Sequence, residues 1–323
     1  MYRFESIIEG RDLDKRYKAI YAKADLKKKW DDEVVGCPEL ARTLPDGIAP
    51  TDMLTMKFEK LVEVYLRYRQ VFNRLTIDRQ AALKNAAKKV FDYDSCKEKI
   101  KNFLMNANNG FRIYNCVYCD LNDVRAFGEG NRQFVTEHIL DKGNCPLVGL
   151  SLYNFCPACN TCNTNLKGTK KIGTNEVQMK KLSPTSRQYD FQHQVKFVFI
   201  EMPEAVGRIQ IDFGHQEWYE IDFEYKDDDY REVTKLFELK VRYNKSDTLL
   251  FGMELRDKLI KNRGIDLKTK ALLEHKSEEQ VWEDIFLLKY HRKVHSQKLK
   301  LMEDLILEEY NRIVNGNKKS FSA

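Results

Sequence analysis

Residues that break helices are scarce in this sequence, and long apolar runs are missing. Only 7 prolines and 15 glycines occur among 323 residues, which excludes collagen-like and proline-rich disordered chains. No run of about 18 uncharged apolar residues is present, as a membrane-spanning helix requires. The opening residues, MYRFESIIEGRDLDKRY, lack the apolar segment of a signal peptide. We therefore expect a cytoplasmic protein that has no membrane partner.

A nucleotide-binding loop of the pattern G-x-x-x-x-G-K-[ST] is also missing, so any dependence on ATP must come from a partner. The net charge of +6 is modest; it permits a nucleic-acid partner but does not indicate one. What the sequence does contain is 42% hydrophobic and 32% charged residues. This composition is typical of a folded chain with a sizeable core.

The residue pattern changes along the chain. Residues 1–108 form a helical N-terminal region: in 51–75, apolar residues recur at three- and four-residue steps, which predicts an amphipathic helix. Ser95 and Glu98 fit a capping box that would begin another helix. Residues 109–182 lose this periodicity and are enriched in cysteine and asparagine. We expect the functional core there.

Residues 183–323 begin with strand patterns and end with helical ones. The segments 195–201, 207–213 and 218–224 show alternation or are rich in β-branched and aromatic residues, which predicts two or three strands of a small β-meander. Helices are predicted for most of the chain that follows. The predicted fold class is therefore α+β, mainly helical, with a small β-meander.

Two C-x-x-C pairs, Cys116/Cys119 and Cys159/Cys162, lie in the central region. In a reducing compartment such pairs indicate metal binding and not disulfides. Each pair can give two thiolates to one Zn²⁺, and two pairs complete its tetrahedral coordination. Four reduced core cysteines are the less favoured interpretation. Cys156 leaves the ligand set open at this point, because Cys156 and Cys159 have the same spacing.

The residues between and after the pairs follow a distinctive order. Glu137-His138 comes first, then Asn154 at the start of NFCPAC, then Asn163 at the end of CNTCN, and finally Lys167 in LKG. Together with the cysteine pairs, this order resembles the HNH endonucleases of the His-Me finger (ββα-metal) group. The resemblance covers about a quarter of the chain. Each motif alone is weak, whereas all of them in one order make the resemblance specific.

This resemblance implies a zinc-bound ββα-metal HNH core at the centre of the chain. It favours the second C-x-x-C pair over Cys156 as the source of zinc ligands. It also implies a two-stranded hairpin in which His138 ends the first strand and Asn154 lies in the connection. A helix starting near Cys159 would then present Asn163.

The chemistry implied by the resemblance is metal-dependent hydrolysis of phosphodiester bonds. His138 would act as general base on the attacking water, since a neutral imidazole can take its proton near neutral pH. Glu137 and Asn163 would hold Mg²⁺ or Mn²⁺, which prefer oxygen ligands. Asn154 would fix the loop that orients His138. The products would carry 5′ phosphate and 3′ hydroxyl groups.

Three lysines follow the last motif. Lys167, Lys170 and Lys171 are candidates for neutralising substrate phosphates, although an ordinary solvated cluster explains them equally well. Two other residues depart from the commoner family pattern. Glu137 replaces Asp and is one methylene longer, and Asn163 stands where many members have a second His.

A second resemblance concerns the arrangement of the whole chain. An HNH core between helical flanks is similar to the nuclease subunits of Septu-type anti-phage systems, which implies an ABC- or SMC-like ATPase partner. The sequence thus predicts a metal-dependent endonuclease of antiviral defence, with DNA favoured over RNA as substrate. Two alternatives stay open, an enzyme that acts on RNA and a non-catalytic zinc module that binds nucleic acid or protein.

Overall fold

The computed structural model describes residues 12–21, 23–106, 109, 114–124, 126–127, 131–132, 135–208, 210–294 and 296–319. Over these residues the chain is mainly helical and has small antiparallel sheets, so the predicted α+β class is confirmed. The chain divides into two compact units. The first contains Tyr2–Tyr118 and Asp123–Phe191, and the second contains Cys119–Asn122 and Gln192–Ala323. The predicted boundaries near residues 108 and 182 stay a prediction.

Helices begin the first unit. They are α1 (Leu13–Ala19), α2 (Lys23–Gly36), α3 (Phe58–Asn73), α4 (Ile77–Val90) and α5 (Tyr93–Met105). Short 3-10 turns at Pro38–Thr43 and Pro50–Leu54 separate α2 from α3. The buried face of α3 carries residues at the predicted three- and four-residue steps, namely Phe58, Leu61, Val62, Tyr65 and Tyr68.

Helix α5 starts earlier than its predicted cap. The Asp92 side chain accepts a hydrogen bond from the backbone N–H of Ser95 at 3.2 Å. Asp92 is therefore the N-cap, and the predicted capping box of Ser95 and Glu98 is wrong. An aspartate caps a helix at least as well as a serine, so the first capping residue along the chain takes the role. Tyr93 becomes the first residue of α5, a position that matters for the site below.

Two short hairpins follow. Strand β1 (Ala126–Phe127) pairs with β2 (Asn131–Arg132), and β3 (Val135–His138) pairs with β4 (Phe155–Ala158), both antiparallel. In the second hairpin His138 lies opposite Phe155, and Glu137 lies opposite Cys156. The connection contains 3-10 turns at Pro146–Val148 and Leu152–Asn154. A π-helical segment (Thr161–Lys167) and α6 (Glu176–Lys181) follow β4.

A two-stranded antiparallel sheet opens the second unit, after the short α7 (Phe191–Gln194). It pairs β5 (Val195–Glu201) with β6 (Tyr219–Tyr225), so the first and last of the three predicted segments form strands. The middle segment, 207–213, forms no strand over its described residues. Asp212 instead accepts a hydrogen bond from the backbone N–H of Gly214 at 3.0 Å, which closes a turn at this point.

Helices make up the rest of the second unit. They are α8 (Tyr230–Leu236), α9 (Leu239–Tyr243), α10 (Ser246–Lys261), α11 (Leu267–Glu274), α12 (Glu278–Ile285), α13 (Leu288–Val294) and α14 (Leu299–Lys319). The indole of Trp282, fully buried on α12, donates a hydrogen bond to the carbonyl of Ile306 on α14 at 3.0 Å. Among the helices that the structure describes, none combines the length and apolar character needed to cross a membrane.

Candidate metal centre and active site

The four predicted zinc cysteines come together. Cys116, Cys119, Cys159 and Cys162 are all buried, and their sulfur atoms lie within 4.8 Å of one another. A tetrahedral zinc with Zn–S bonds of about 2.3 Å holds its sulfurs about 3.8 Å apart, so small side-chain adjustments bring this cluster to that geometry. The four residues can therefore hold a metal such as zinc. All four positions belong to protein ligands, which is the pattern of a structural zinc site.

Cys156 lies outside this cluster. Its thiol donates to the hydroxyl of Tyr118 at 3.4 Å, and burial raises its pKa well above the ordinary thiol value. The alternative pair that the sequence left open is thus not the one that the fold brings together.

The hairpin of β3 and β4 fixes the His138 ring. His138 is the last residue of β3, and its Nε2 lies 3.2 Å from the carbonyl oxygen of Gly149. A carbonyl can only accept, so Nε2 carries the proton and Nδ1 keeps its lone pair. Burial lowers the pKa of His138 to about 3, and the cations Lys142 and Lys167 act in the same direction. Part of the residue stays accessible, and the imidazole is neutral at pH 7.

Two aromatic rings enclose this imidazole. The Tyr93 ring, at the start of α5, meets it edge-on with the ring centres 4.5 Å apart, and the Phe155 ring does so at 4.9 Å. The ammonium of Lys142 lies 4.6 Å from the centre of the Tyr93 ring. The sequence analysis missed Tyr93, Lys142 and Gly149. Only Lys142 carried a signal, a basic residue four positions after His138.

Asn154 holds the connection between the strands. Its side chain is fully buried and makes three hydrogen bonds to the backbone. The amide oxygen accepts from the N–H of Leu140 at 2.8 Å, while the amide nitrogen donates to the carbonyls of Leu140 and Val148, both at 3.0 Å. These bonds close the loop just before Gly149, the residue whose carbonyl orients His138. An aspartate or leucine here would lose donors or acceptors in a buried place.

Glu137 and Lys167 form a buried pair. Both residues are 2% exposed, and Glu137 Oε1 lies 2.5 Å from Lys167 Nζ. The same ammonium donates to the backbone carbonyl of His138 at 3.1 Å. Burial raises the pKa of Glu137 to about 7, against the opposing effect of Lys167. The 2.5 Å contact makes the pair a close ion pair.

This pair corrects the expectation for Lys167. A lysine that neutralises substrate phosphates must reach solvent, whereas Lys167 points inward to Glu137 in this structure. The spacing alone did not reveal this, because LKG lies at the end of a segment whose exposed side depends on packing. Lys170 and Lys171 are exposed as expected, and Lys171 lies 5.9 Å from the centre of the Tyr65 ring.

Asn163 lies on the π-helical segment, four residues before Lys167. Residues at this separation share one side of a helix, so Asn163 is on the side from which Lys167 reaches Glu137. It is partly exposed. The fold thus joins Glu137, His138 and Lys167 by direct contacts. Asn154 holds the adjoining loop, and Asn163 lies on the segment that carries Lys167.

No family model, no curated protein and no solved structure matches this chain significantly.

Proposed function

We propose that the chain is a metal-dependent HNH endonuclease that hydrolyses phosphodiester bonds, with DNA favoured over RNA. One observation carries this proposal: a neutral histidine at the end of a β-hairpin, its Nε2 fixed by the Gly149 carbonyl and its Nδ1 left to accept a proton. Beside it lies a buried carboxylate, Glu137. A scaffold that only binds zinc needs the four cysteines and has no use for this pair.

The zinc site in this proposal is structural. Four thiolates leave no open coordination position, so a bound zinc cannot activate water. Cys116 and Cys119 precede the β3–β4 hairpin in the chain, and Cys159 and Cys162 follow it. A bound zinc would link the two pairs. Zinc binding and local folding would then be one equilibrium. Replacing Cys116 by Ser should release zinc and loosen the hairpin, which zinc analysis and limited proteolysis would detect.

His138 acts as the general base. Its Nδ1 takes the proton of the attacking water, and its Nε2 keeps donating to Gly149 throughout. A pKa held well below 7 by burial guarantees the neutral form but weakens the base. The substrate phosphate would stabilise the positive charge of the imidazolium formed in this step. The ring would then return to its neutral form by giving its proton to solvent. Asn154 keeps the loop in register, so the ring does not have to reorganise during the reaction.

Glu137 and Asn163 would hold the divalent ion, Mg²⁺ or Mn²⁺. When bound, such an ion stabilises negative charge on the phosphate and on the leaving oxygen. The donor set fits a hard cation, because it offers a carboxylate and an amide oxygen. Oε1 of Glu137 contacts the ammonium of Lys167, and the second oxygen of the carboxylate can accept a further cation.

Lys142 would contribute an accessible cation for the substrate. Its side chain is 36% exposed, and it lies over the Tyr93 ring that contacts His138. A phosphate approaching Nδ1 of His138 would come within its electrostatic reach. Lys170 and Lys171, which follow the π-helical segment, would add further positive charge for the substrate. The backbone of the substrate, and not its base sequence, is what such contacts recognise.

The wider role that we propose is nuclease effector of an anti-phage system, gated by an ABC- or SMC-like ATPase. It is supported by the order of the HNH residues between helical flanks and by the lack of a nucleotide-binding loop. Co-purification with an ATPase encoded beside this chain, and a change of cleavage rate on adding ATP, would test it. No binding and no response would remove this role and leave the nuclease proposal intact.

A cleavage assay tests the main proposal. Supercoiled, linear and single-stranded DNA and a structured RNA would be incubated with zinc-loaded protein and Mg²⁺ or Mn²⁺. We expect wild type to cut, His138→Ala to lose cutting with its zinc retained, and His215→Ala to cut as wild type. His215 is the matched control, since it is a partly exposed histidine paired with Glu217.

A non-catalytic zinc module is the second candidate. The observation in its favour is that Glu137 already has a cation partner, Lys167, in this structure. Wild type that binds nucleic acid with full zinc but cuts no substrate, with or without the ATPase partner, would decide for this alternative.

A further inference from the structure

The buried cation at Glu137 is the feature from which we infer more. The ammonium of Lys167 lies 2.5 Å from Glu137 Oε1, and it also donates to the His138 carbonyl at 3.1 Å. Both side chains are almost fully enclosed, with 2% and 3% of their surface exposed. A single positive charge is therefore in contact with the buried oxygen of the carboxylate.

A divalent ion bound by the same carboxylate would lie close to this ammonium. An oxygen ligand of Mg²⁺ lies about 2.1 Å from the ion, so the two positive charges would be a few ångströms apart. In a buried place their repulsion is poorly screened. Each cation therefore weakens the binding of the other to Glu137.

We propose that Lys167 is a built-in counter-ion that occupies the cation position at Glu137 and leaves it when the divalent ion binds. This inference rests on the proposed function, because it takes Glu137 as a ligand of that ion. The described conformation is then the resting state of the site. Metal affinity is set by competition between Lys167 and the ion, and conditions that draw the ammonium away favour the active state.

The position of Lys167 in the chain suits such an exchange. It is the last residue of the π-helical segment, and Gly168 follows it with a positive φ of 49°. The backbone N–H of Gly168 bonds to the carbonyl of Asn163 at 2.8 Å, so the segment is closed without help from the lysine side chain. The long side chain can therefore swing while its backbone stays in place.

Mn²⁺ binding to zinc-loaded, full-length protein tests the proposal, read by the loss of the free-ion electron paramagnetic resonance signal. We expect Lys167→Met to bind Mn²⁺ about tenfold more tightly or better than wild type, because a competing positive charge is gone. Lys167→Gln, which keeps a hydrogen-bond donor without the charge, should behave in the same way. Lys300→Met is the matched control, since Lys300 is also 2% exposed and pairs with a carboxylate, Asp304, at 2.6 Å.

Opposite results separate two failures. Equal or weaker Mn²⁺ binding by both Lys167 variants would overturn the counter-ion proposal and make Lys167 a residue that only positions Glu137. Glu137→Gln checks the assumption beneath it: if this variant binds Mn²⁺ as wild type does, Glu137 is no metal ligand and that part of the proposed function fails.

Lysine labelling tests the proposal on the wild-type protein alone, so it does not depend on whether a variant folds. An amine-acetylating reagent followed by mass spectrometry would report the reactivity of each lysine with and without Mg²⁺. We expect Lys167 to be protected without the ion and to become reactive with it, while Lys300 stays protected in both. Lys167 that remains as protected as Lys300 at saturating Mg²⁺ would also overturn the proposal.

Discussion

Two glutamates, each at the centre of a buried charge cluster, behave in opposite ways. Glu309 on α14 is fully buried and contacts Arg256, Arg263 and Arg312. Glu137 on β3 is almost as buried, and within the part of the chain that the structure describes its ion-pair partner is Lys167. Burial by itself raises the pKa of both carboxyls, since it penalises the charged form. The three guanidiniums outweigh this for Glu309, whose pKa is lowered, whereas the single ammonium does not for Glu137, whose pKa rises to about 7.

The comparison separates a structural carboxylate from a poised one. Glu309 has donors on both oxygens, with distances of 2.5 to 3.1 Å, and it has no capacity left for a ligand. Glu137 meets one ammonium, at Oε1, and its charge is only partly compensated. A buried carboxylate with spare acceptor capacity favours a cation, which is why Glu137 and not Glu309 is the candidate metal ligand.

Removing the charge of Glu309 should give the largest change in stability. Glu309→Gln leaves three arginines without their acceptor, and we expect unfolding to become easier by about 3 kcal/mol. Two of those arginines are partly exposed, which keeps the loss near the lower end of that range. Urea denaturation followed by circular dichroism measures it. Glu274→Gln, at a more exposed surface pair, is the control and should change stability little.

Glu137→Gln should affect activity more than stability. We expect cleavage to fall about 100-fold or more, because in the proposed function Glu137 is a ligand of the divalent ion. Urea denaturation at neutral pH should show a smaller loss of stability than for Glu309→Gln, since two effects oppose each other: the neutral amide is easier to bury than the carboxylate, but Lys167 loses its counter-ion. A variant that unfolds as readily as Glu309→Gln would contradict the contrast between the two glutamates.

The pH dependence of stability should also differ between them. The folded-state pKa of Glu137, about 7, lies above its ordinary value of 4.5. Its favourable contribution is therefore complete below the ordinary value and lost as the pH rises through the folded-state value. Glu137→Gln mimics the protonated form, so its stability relative to wild type should rise by an amount on the order of 2 kcal/mol between about pH 5 and pH 8.

Glu309 supplies the contrast in that measurement. A lowered pKa keeps it ionised over the same interval, so the difference between Glu309→Gln and wild type should stay constant there and shrink only as the pH falls through the folded-state pKa. Zinc-loaded protein without Mg²⁺ is required, with thermal unfolding at each pH. Parallel curves for both glutamate variants would show that the two carboxyls have similar environments.

The smallest effect is expected at the surface beside His138. Lys142→Ala should weaken nucleic-acid binding by a few-fold and reduce its salt dependence by about one phosphate contact. Using His138→Ala as background separates binding from cleavage. Lys235→Ala, a lysine on α8, is the control. Equal losses in both variants would mean that Lys142 contributes only general positive charge.

Local patterns predicted several elements correctly. The three- and four-residue steps in 51–75 gave the buried face of α3, and alternation gave β5 and β6. These patterns are reliable because the repeat of a helix or strand places regularly spaced apolar residues on one face, which is then buried. Prediction failed at 207–213 and at the cap of α5, where a turn hydrogen bond of Asp212 and the side chain of Asp92 decided the outcome.

The sequence by itself identified the two candidate metal-binding C-x-x-C pairs and the candidate base, and the structure decided that Cys156 lies outside the cluster. A C-x-x-C turn brings two thiolates together whatever surrounds it, and the order of Glu137, His138, Asn154 and Asn163 carried the HNH resemblance. Only the tertiary structure decided which nitrogen of His138 is free, through Gly149, and which cation meets Glu137, through Lys167. These depend on burial and on contacts between residues far apart in the chain, which no local spacing encodes.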